Sequence, residues 1–231
     1  MDISLRGHLV SNDDADVLRY WGWRDITAPM DIAAGLEEAA GEDVTLLINS
    51  PGGSMAVGVE IASMLRRYRG NTTALFQGCG ASAATFASTG CGRIVAEPGS
   101  ILCYHCPVLS TEGDWQAHEK ALSELRNLRE TAINVYMTRT HRTREEIGAL
   151  LDADKLIAPQ QALEYGLIDA VEGLPGLEPL PLEIVAASGG GYLRVTAQMR
   201  EAYQQHAADA AAAARKEARR ARARLEALAR Y

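Results

Sequence analysis

The sequence has no run of about 18 apolar residues, the length that a helix needs to cross a membrane. Its first six residues lack the apolar core of a secretory signal. The four cysteines lie within 28 positions of one another and do not suggest a secreted disulfide framework. We therefore expect a protein without a membrane span that works in a reducing cytoplasm.

An excess of positive charge is also lacking. The net charge is -7, which gives no general reason to expect nucleic-acid or membrane binding. Glycine and proline are not in excess, and 47% of the residues are hydrophobic, enough to bury a sizeable core. A chain of 231 residues predicts one α/β domain with an appendage, or at most two domains.

Strand and helix patterns alternate along most of the chain. Short segments rich in apolar residues predict strands at 3–10, 44–48, 72–76, 93–96 and 101–104, and the run at 44–48 is continuously apolar apart from Thr45. Apolar residues at helical spacing predict helices at 27–40, 57–68, 85–88, 115–139, 144–151 and 160–164. This alternation indicates an α/β fold with a largely parallel sheet.

The C-terminal part has a different composition. Residues 173–191 are rich in proline and glycine and predict a linker. Residues 192–231 are rich in Ala, Arg and Glu, which favour a basic helical tail. The simplest interpretation is a solvated or self-associating helix. An acidic partner or nucleic acid are alternatives, although no base-reading motif supports the latter.

A run of small residues at 78–84 holds one hydroxyl, that of Ser82, between a predicted strand and a predicted helix. Serine nucleophiles are often mounted on such a turn, where the helix N-terminus offers free N–H groups. The alternative is that small residues only let the helix pack closely on the sheet. The turn alone does not decide between them.

Ser50-Pro51-Gly52-Gly53 is a second turn between a predicted strand and a predicted helix. Paired glycines expose backbone N–H groups and reach conformations that other residues avoid. Such groups can hold an oxyanion, but by itself the segment is no more than a turn.

His105 ends the apolar strand at 101–104 and lies between Cys103 and Cys106. A histidine there is either a general base or a hydrogen-bonded core residue. Strand alternation points the two cysteines to opposite faces, and a zinc site would need a fourth ligand that the sequence does not supply. We therefore predict neither a redox nor a metal site.

Four motifs, in order and with similar spacing, resemble the ClpP family, the proteolytic subunits of Clp-type proteases. They are Ile48-Asn49-Ser50-Pro51-Gly52-Gly53, Gly80-Ala81-Ser82-Ala83-Ala84, Tyr104-His105-Cys106-Pro107 and Glu164-Tyr165-Gly166-Leu167-Ile168-Asp169. The resemblance covers residues 1–172. It implies a ββα spiral shared with the crotonases, with a protruding handle helix from Trp115, and a serine endopeptidase activity.

The resemblance also implies a catalytic triad. Ser82 matches the nucleophile and His105 the general base. Counting back from Gly166 puts Asp154 at the acid that orients the histidine, with Asp152 as the rival. Alignment of the triad in this family can depend on assembly.

The remaining expectations concern the oxyanion hole and cofactors. The backbone N–H groups of Gly53 and Ala83 match the two donors of the family. No member of the triad needs a metal or an organic cofactor, so we expect none. The resemblance implies protein or peptide substrates and a homo-oligomeric ring, commonly of seven subunits and stacked in pairs.

Some features depart from the ATPase-coupled enzymes. The N-terminus has no recognisable segment for docking an unfoldase, which gives little reason to expect an ATPase partner. The aromatic stretch at 20–23 and the helix after Thr27 are closer to the ClpP-related head maturation proteases of tailed phages. That subtype predicts scaffold and capsid precursors as substrates, in the host cytoplasm.

Three other functions remain as alternatives. The first is a bacterial ClpP-like protease subunit. The second is a crotonase-fold acyl-CoA enzyme, which would share the spiral and an oxyanion hole but would not need a serine and a histidine in these two places. The third is an inactive assembly protein that keeps the fold.

Overall fold

The computed structural model describes residues 1–172 and 195–228. These fall into two compact units, one of residues 1–15 and 24–172 and one of residues 16–23 and 195–228. In chain order the helices and strands are β1 (Asp2–Leu9), α1 (Asn12–Tyr20), β2 (Ile26–Thr27), α2 (Pro29–Glu38), β3 (Val44–Gly53), α3 (Met55–Arg67), β4 (Thr72–Ala81), α4 (Ala83–Ser88), β5 (Arg93–Ala96), β6 (Ile101–Cys103), α5 (Trp115–Met137), α6 (Arg144–Ala153), β7 (Leu156–Ile157), α7 (Pro159–Glu164), β8 (Ala170–Val171) and α8 (Ala197–Leu228).

The first unit is built on one twisted sheet. Its main path runs β2-β1-β3-β4-β5-β8, and every neighbouring pair along this path is parallel. Strand β6 pairs in parallel with β4 and antiparallel with β7. The largely parallel α/β fold expected from the strand and helix alternation is confirmed, and α5 runs where the handle helix was predicted.

The core is formed by this sheet and by buried residues of helices α2 to α7. Alternate residues of β3, among them Val44, Leu46 and Ile48, are fully buried, whereas Leu47 on the other face is only half-buried. Strand β3 is therefore covered completely on one face alone. A continuous apolar run is typical of a strand buried on both faces, and here the second face is only partly covered.

Strands β3 and β4 are longer than predicted. Pairing continues past the last apolar residue of each strand, through Gly53 in β3 and through Ala81 in β4. Register shifts after Ile48 let the glycine-rich ends stay paired, with Ser50 opposite Gly80. The two turns inferred from composition therefore begin later, and both lie at the carboxyl edge of the sheet.

Helix α1 was not predicted, although it has an N-terminal signal. The Asp14 N–H donates to the Ser11 hydroxyl at 3.1 Å, as at a serine N-cap. Acidic residues also fill the first turn, where they favour the helix dipole.

The Gly166-Leu167-Ile168-Asp169 motif has a structural role. The Asp169 N–H donates to the Ile94 carbonyl, its carboxylate accepts the Ile94 N–H, and both bonds measure 2.7 Å. The same carboxylate pairs with Arg139 just beyond α5, also at 2.7 Å. Asp169 thus joins β5 to the end of the long helix.

In the second unit, the aromatic stretch at 20–23 contacts α8. The Tyr20 ring lies 5.8 Å from the Tyr203 ring and 4.6 Å from that of His206, centre to centre. The described part of the tail is helical, and the predicted linker at 173–191 lies outside the described residues. Among the described helices, none is long and apolar enough to span a bilayer.

Candidate active site

The carboxyl ends of β1, β3, β4 and β6 meet at one edge of the sheet, where α/β folds usually place their ligands. A cavity of about 360 Å³ opens there, within the first unit. Ser82 and His105, which are 23 positions apart in the sequence, both line it. Gly53 lines it as well. The structure therefore brings together the serine, the histidine and the Gly-Gly turn on which the sequence analysis depended.

Ser82 lies in a strained backbone conformation between β4 and α4. Its φ is 54° and its ψ is -126°, values that a residue with a side chain rarely adopts. Such a conformation costs about 1–3 kcal/mol and persists only where the surroundings impose it. The Ser82 N–H donates to the Cys103 carbonyl at 3.0 Å, and the Ser82 carbonyl accepts the Thr85 N–H at 2.9 Å. This strand-turn-helix geometry lifts the hydroxyl toward the cavity.

Gly52 lets the second turn approach the serine. A Cβ at Gly52 would lie 2.6 Å from the Ser82 Cβ and 2.8 Å from the Ala83 nitrogen, closer than real contacts allow. Gly52 also has a φ of +92°, which favours glycine. The two small-residue turns therefore touch, which neither motif could indicate alone.

The two residues expected to supply the oxyanion hole lie near the serine in different ways, since Ala83 follows Ser82 directly and Gly53 lines the same cavity. Ala83 is the first residue of α4, so its N–H has no acceptor within the helix. At the other turn, the Ser54 N–H donates a hydrogen bond to the Leu9 carbonyl oxygen at 2.9 Å. In that parallel register the Gly53 N–H faces away from β1.

His105 follows the end of β6 and is half-buried. Its Nδ1 lies 2.7 Å from the carbonyl oxygen of the next residue, Cys106. Among the described residues, no hydrogen bond joins His105 to Ser82 or to Asp154. The serine and histidine share the cavity, but the hydrogen bonds of a triad are not formed in this single chain.

Asp154 caps the end of α6 in a left-handed conformation, with φ 45° and ψ 51°. In the antiparallel pair that follows, Leu156 stands opposite Cys103. The pairing ends there, and Asp154 comes two residues before Leu156 as His105 comes two residues after Cys103, so both residues lie beyond the same end of this antiparallel pair. Burial raises the pKa of the Cys103 thiol to about 11, and the negative charge of Asp154 contributes.

The Asp152 carboxylate binds Arg129 and Cys106. Its two carboxylate oxygens accept hydrogen bonds from the Arg129 guanidinium at 2.9 and 2.6 Å, and one of them accepts the Cys106 thiol at 3.2 Å. The Arg129 hydrogen bonds hold the pKa of Asp152 below its usual value. This arrangement joins α5 to α6 and to the segment after His105, and it engages Asp152 in an ion pair, while Asp154 as the acid of the triad stays a prediction.

The cysteines around His105 are poor nucleophiles. Burial raises the pKa of both Cys103 and Cys106 to about 11, so both thiols stay protonated at neutral pH. All four cysteines are free. No group of three or more His, Cys, Asp or Glu within the described ranges could hold a metal ion.

The cavity wall also contains residues that no sequence motif indicated. His8, Asp14 and Leu128 line it although they come from β1, α1 and α5. His8 precedes all four motifs in the sequence. It reaches the site because β1 pairs with β3 so that His8 stands opposite Gly52, and no sequence motif carries that register.

Comparison with known proteins gives a consistent result. Residues 31–173 match the Clp protease family. The chain is 33% identical over 135 residues to an ATP-dependent Clp protease proteolytic subunit of Nephroselmis olivacea, covering 58% of this chain and 64% of that protein. It is 31% identical over 160 residues to the chloroplastic proteolytic subunit 3 of Arabidopsis thaliana, covering 66% of this chain and 52% of that protein. A proteolytic subunit 1 of Corynebacterium glutamicum is 31% identical over 150 residues, covering 64% of this chain and 71% of that protein. The chain thus spans between about half and two thirds of the length of the first two relatives.

Proposed function

The chain belongs to the Clp protease family, and from this premise we propose that it is a serine endopeptidase with Ser82 as its nucleophile. The observation that carries the proposal is the strained Ser82 turn, which shares one cavity with His105 and touches the Gly52-Gly53 turn. A helix that only needed close packing would not require a serine at a positive φ.

The proposed reaction proceeds through an acyl-enzyme. His105 takes the proton of the Ser82 hydroxyl as its oxygen attacks the peptide carbonyl, and then returns that proton to the leaving amine. The N–H groups of Gly53 and Ala83 stabilise the negative oxygen of the tetrahedral intermediate, and one such donor is typically worth about 10²–10³ in rate. Water then releases the acyl group by the same steps. None of them needs a metal or an organic cofactor.

Catalysis requires one rearrangement of His105. Its Nδ1 now faces the Cys106 carbonyl, whereas a triad needs Nδ1–H to face a carboxylate while Nε2 faces the serine. If the ring turns toward Asp154, Nδ1–H gives up the neutral Cys106 carbonyl as its acceptor and donates to a carboxylate instead. A hydrogen bond to a charged acceptor is stronger. We expect assembly with other copies to favour this orientation.

Assembly is the second part of the proposal. The N-terminal half of α5 exposes Trp115 and Leu122, with Trp115 70% exposed. Large exposed apolar side chains on a protruding helix favour contact with another protein. Further copies of this chain, arranged in a ring that encloses the active sites, would cover them.

The type of protease is the third part. The relatives carry names of ATP-dependent Clp proteolytic subunits, which supports a Clp-type housekeeping role ahead of phage head maturation. Scaffold and capsid substrates have no support from these relatives, and the phage role stays a prediction from the aromatic stretch and α2. Degradation of casein with and without an added Clp unfoldase and ATP distinguishes the two roles.

A fluorophosphonate probe tests the enzymatic proposal directly. Such probes phosphonylate only activated serines, so we expect one adduct, located to Ser82 by peptide mass spectrometry. Ser82→Ala should abolish both the adduct and casein cleavage while its circular dichroism and sedimentation stay those of the parent. An unlabelled, folded and assembled parent would instead favour an inactive assembly protein. Specific binding of an acyl-CoA thioester without labelling would favour the crotonase alternative.

A further inference from the structure

One buried polar pair behind the serine turn has no part in the proposed triad. The Thr85 hydroxyl lies 2.6 Å from the Ser82 carbonyl oxygen and 2.7 Å from the Tyr136 hydroxyl. Thr85 and Tyr136 are both essentially inaccessible, at 0% and 1% exposed. Tyr136 lies on α5 between the rings of Phe86 and Tyr104, so its position is fixed by packing.

The direction of these hydrogen bonds follows from counting protons. The Ser82 carbonyl can only accept, so Thr85 must donate its single hydroxyl proton to it. Tyr136 must then donate to the Thr85 oxygen. Burial raises the pKa of Tyr136, so the phenol keeps its proton at any working pH. The result is a directed chain from α5 to the backbone of the nucleophile.

The chain ends on the peptide group that joins Ser82 to Ala83. In a trans peptide the carbonyl and the N–H lie in one plane and point in opposite directions. The bonds that hold the Ser82 carbonyl therefore also set the direction of the Ala83 N–H, one of the two proposed oxyanion donors. Because hydrogen bonds in a chain polarise one another, this N–H also becomes a stronger donor.

We propose that Thr85 and Tyr136 are positioning residues that aim the Ala83 N–H at the oxyanion through the Ser82 carbonyl. The inference rests on the proposed function and adds two residues that contact neither the substrate nor the side chains of the triad. It assigns α5 a second role, because the helix expected to mediate assembly also holds one edge of the active site.

Two neighbouring hydrogen bonds provide a control that distinguishes a positioning role of Thr85 from a contribution to helix stability alone. Ser88 and Thr89 make the same kind of hydrogen bond in α4, from the hydroxyl to the carbonyl three residues earlier, at 2.8 and 2.7 Å. Such bonds are common for Ser and Thr in helices. Neither reaches the Ser82–Ala83 peptide, so Thr89→Val is a matched control for Thr85→Val in volume, burial and bond type.

The experiment measures fluorophosphonate labelling of Ser82 in the full chain and separates the maximal rate kinact from the affinity KI. We expect Tyr136→Phe to lower kinact about 10-fold and Thr85→Val about 10- to 100-fold, since complete loss of one oxyanion donor costs about 10²–10³. KI should stay within about 2-fold, because the donor acts in the transition state. Thr85→Ser keeps the hydroxyl and should restore the parental kinact.

Each outcome has one meaning. Unchanged kinact in Thr85→Val, or an equal loss in Thr89→Val at matched thermal stability, overturns the positioning role while leaving Ser82 as the nucleophile. If Thr85→Val fails to fold, Tyr136→Phe, which keeps the ring and its packing, decides alone. A parent that is not labelled at Ser82 overturns the proposed function, and the inference with it.

Discussion

At the scale of single residues, the two acids at the end of α6 differ in their partners. Asp152 accepts two hydrogen bonds from Arg129, whereas Asp154 and His105 both lie just beyond the same end of the β6–β7 pair. We predict that Asp154→Asn lowers the rate of peptide hydrolysis about 10⁴-fold, the loss seen when a triad acid is made neutral. The measurement is kcat/KM on casein-derived fluorescent peptides, with circular dichroism as the check on folding.

Asp152→Asn is the matched control, since it makes the same chemical change two residues away. We expect its kcat/KM to stay within about 10-fold of the parent, because any effect reaches His105 only through the Cys106 segment. A larger loss in Asp152→Asn than in Asp154→Asn would reverse the assignment and make Asp152 the acid of the triad.

The Arg129–Asp152 ion pair also predicts a pH dependence of stability. The Arg129 hydrogen bonds depress the pKa of Asp152 in the folded state, so the pair stabilises the protein above about pH 3.9, the unfolded value, and this contribution is lost as the pH falls through the lower folded value. Both side chains are partly exposed, which limits the contribution to at most about 1 kcal/mol.

A double-mutant cycle measures that contribution. Urea unfolding of the parent, Arg129→Gln, Asp152→Asn and the double variant gives the coupling free energy at each pH. We expect the coupling at pH 6 and its decline as the pH falls through the lowered folded-state pKa of Asp152. A coupling that is constant over this range would show that the carboxylate charge does not contribute.

The sequence predicted Ser82 and His105 because each has a distinctive neighbourhood, and the structure places both on one cavity. It could not predict His8 or Tyr136, which reach the site through strand register and helix packing. Nor could it predict that His105 Nδ1 faces the Cys106 carbonyl, because a side-chain rotation leaves no pattern in a sequence.

At the scale of helices and strands, the contact between α3 and α4 supports the serine turn. A Cβ at Gly58 in α3 would lie 2.4 Å from the Ala83 carbonyl oxygen, a backbone atom that cannot move without moving α4. We predict that Gly58→Ala destabilises the protein by about 1–3 kcal/mol, as overpacking does, despite the better helix propensity of alanine. Because α4 carries Ala83, labelling of Ser82 should slow as well.

Gly99→Ala serves as the control for this substitution. A Cβ there meets no atom within 4 Å, and the residue is in a turn rather than a helix contact. Its free energy of unfolding should stay within about 0.5 kcal/mol of that of the parent, which is usual for substitutions at surface positions. If Gly58→Ala unfolds like Gly99→Ala, the helices have room to part and the close contact is not needed.

Helices with a regular spacing of apolar residues were predicted well, whereas strand ends that depend on pairing with a neighbouring strand were not. The boundaries of α3, α5 and α6 follow from apolar spacing and were found within a few residues. The extensions of β3 and β4 through glycine-rich ends depend on partner strands, so composition suggested that they were turns. The short strands β2, β7 and β8 have two residues each, too few for any period to appear.

At the scale of the whole molecule, the site draws on residues from β1 to the end of α6, so it forms only when the first unit is folded. Most of that organisation followed from the order of four motifs. The order of the motifs does not predict how copies of the chain associate, because association depends on which side chains of α5 stay exposed. Trp115 and Leu122 are separated by about two helical turns and lie on one side of the exposed half of that helix.

Self-association through α5 is therefore the last prediction. A buried glutamate in an apolar contact costs several kcal/mol, so Leu122→Glu should shift the assembly toward smaller species by at least about 100-fold in dissociation constant. Ser123→Glu adds the same charge to an exposed polar position of the same helix and should leave the assembly unchanged. Sedimentation velocity over a range of concentrations measures both. If assembly also orients His105, labelling of Ser82 should fall in Leu122→Glu in step with the loss of the larger species. A parent that sediments as a monomer at every concentration would overturn the proposed self-association. A Leu122→Glu variant that assembles like Ser123→Glu would place the contact elsewhere than on α5.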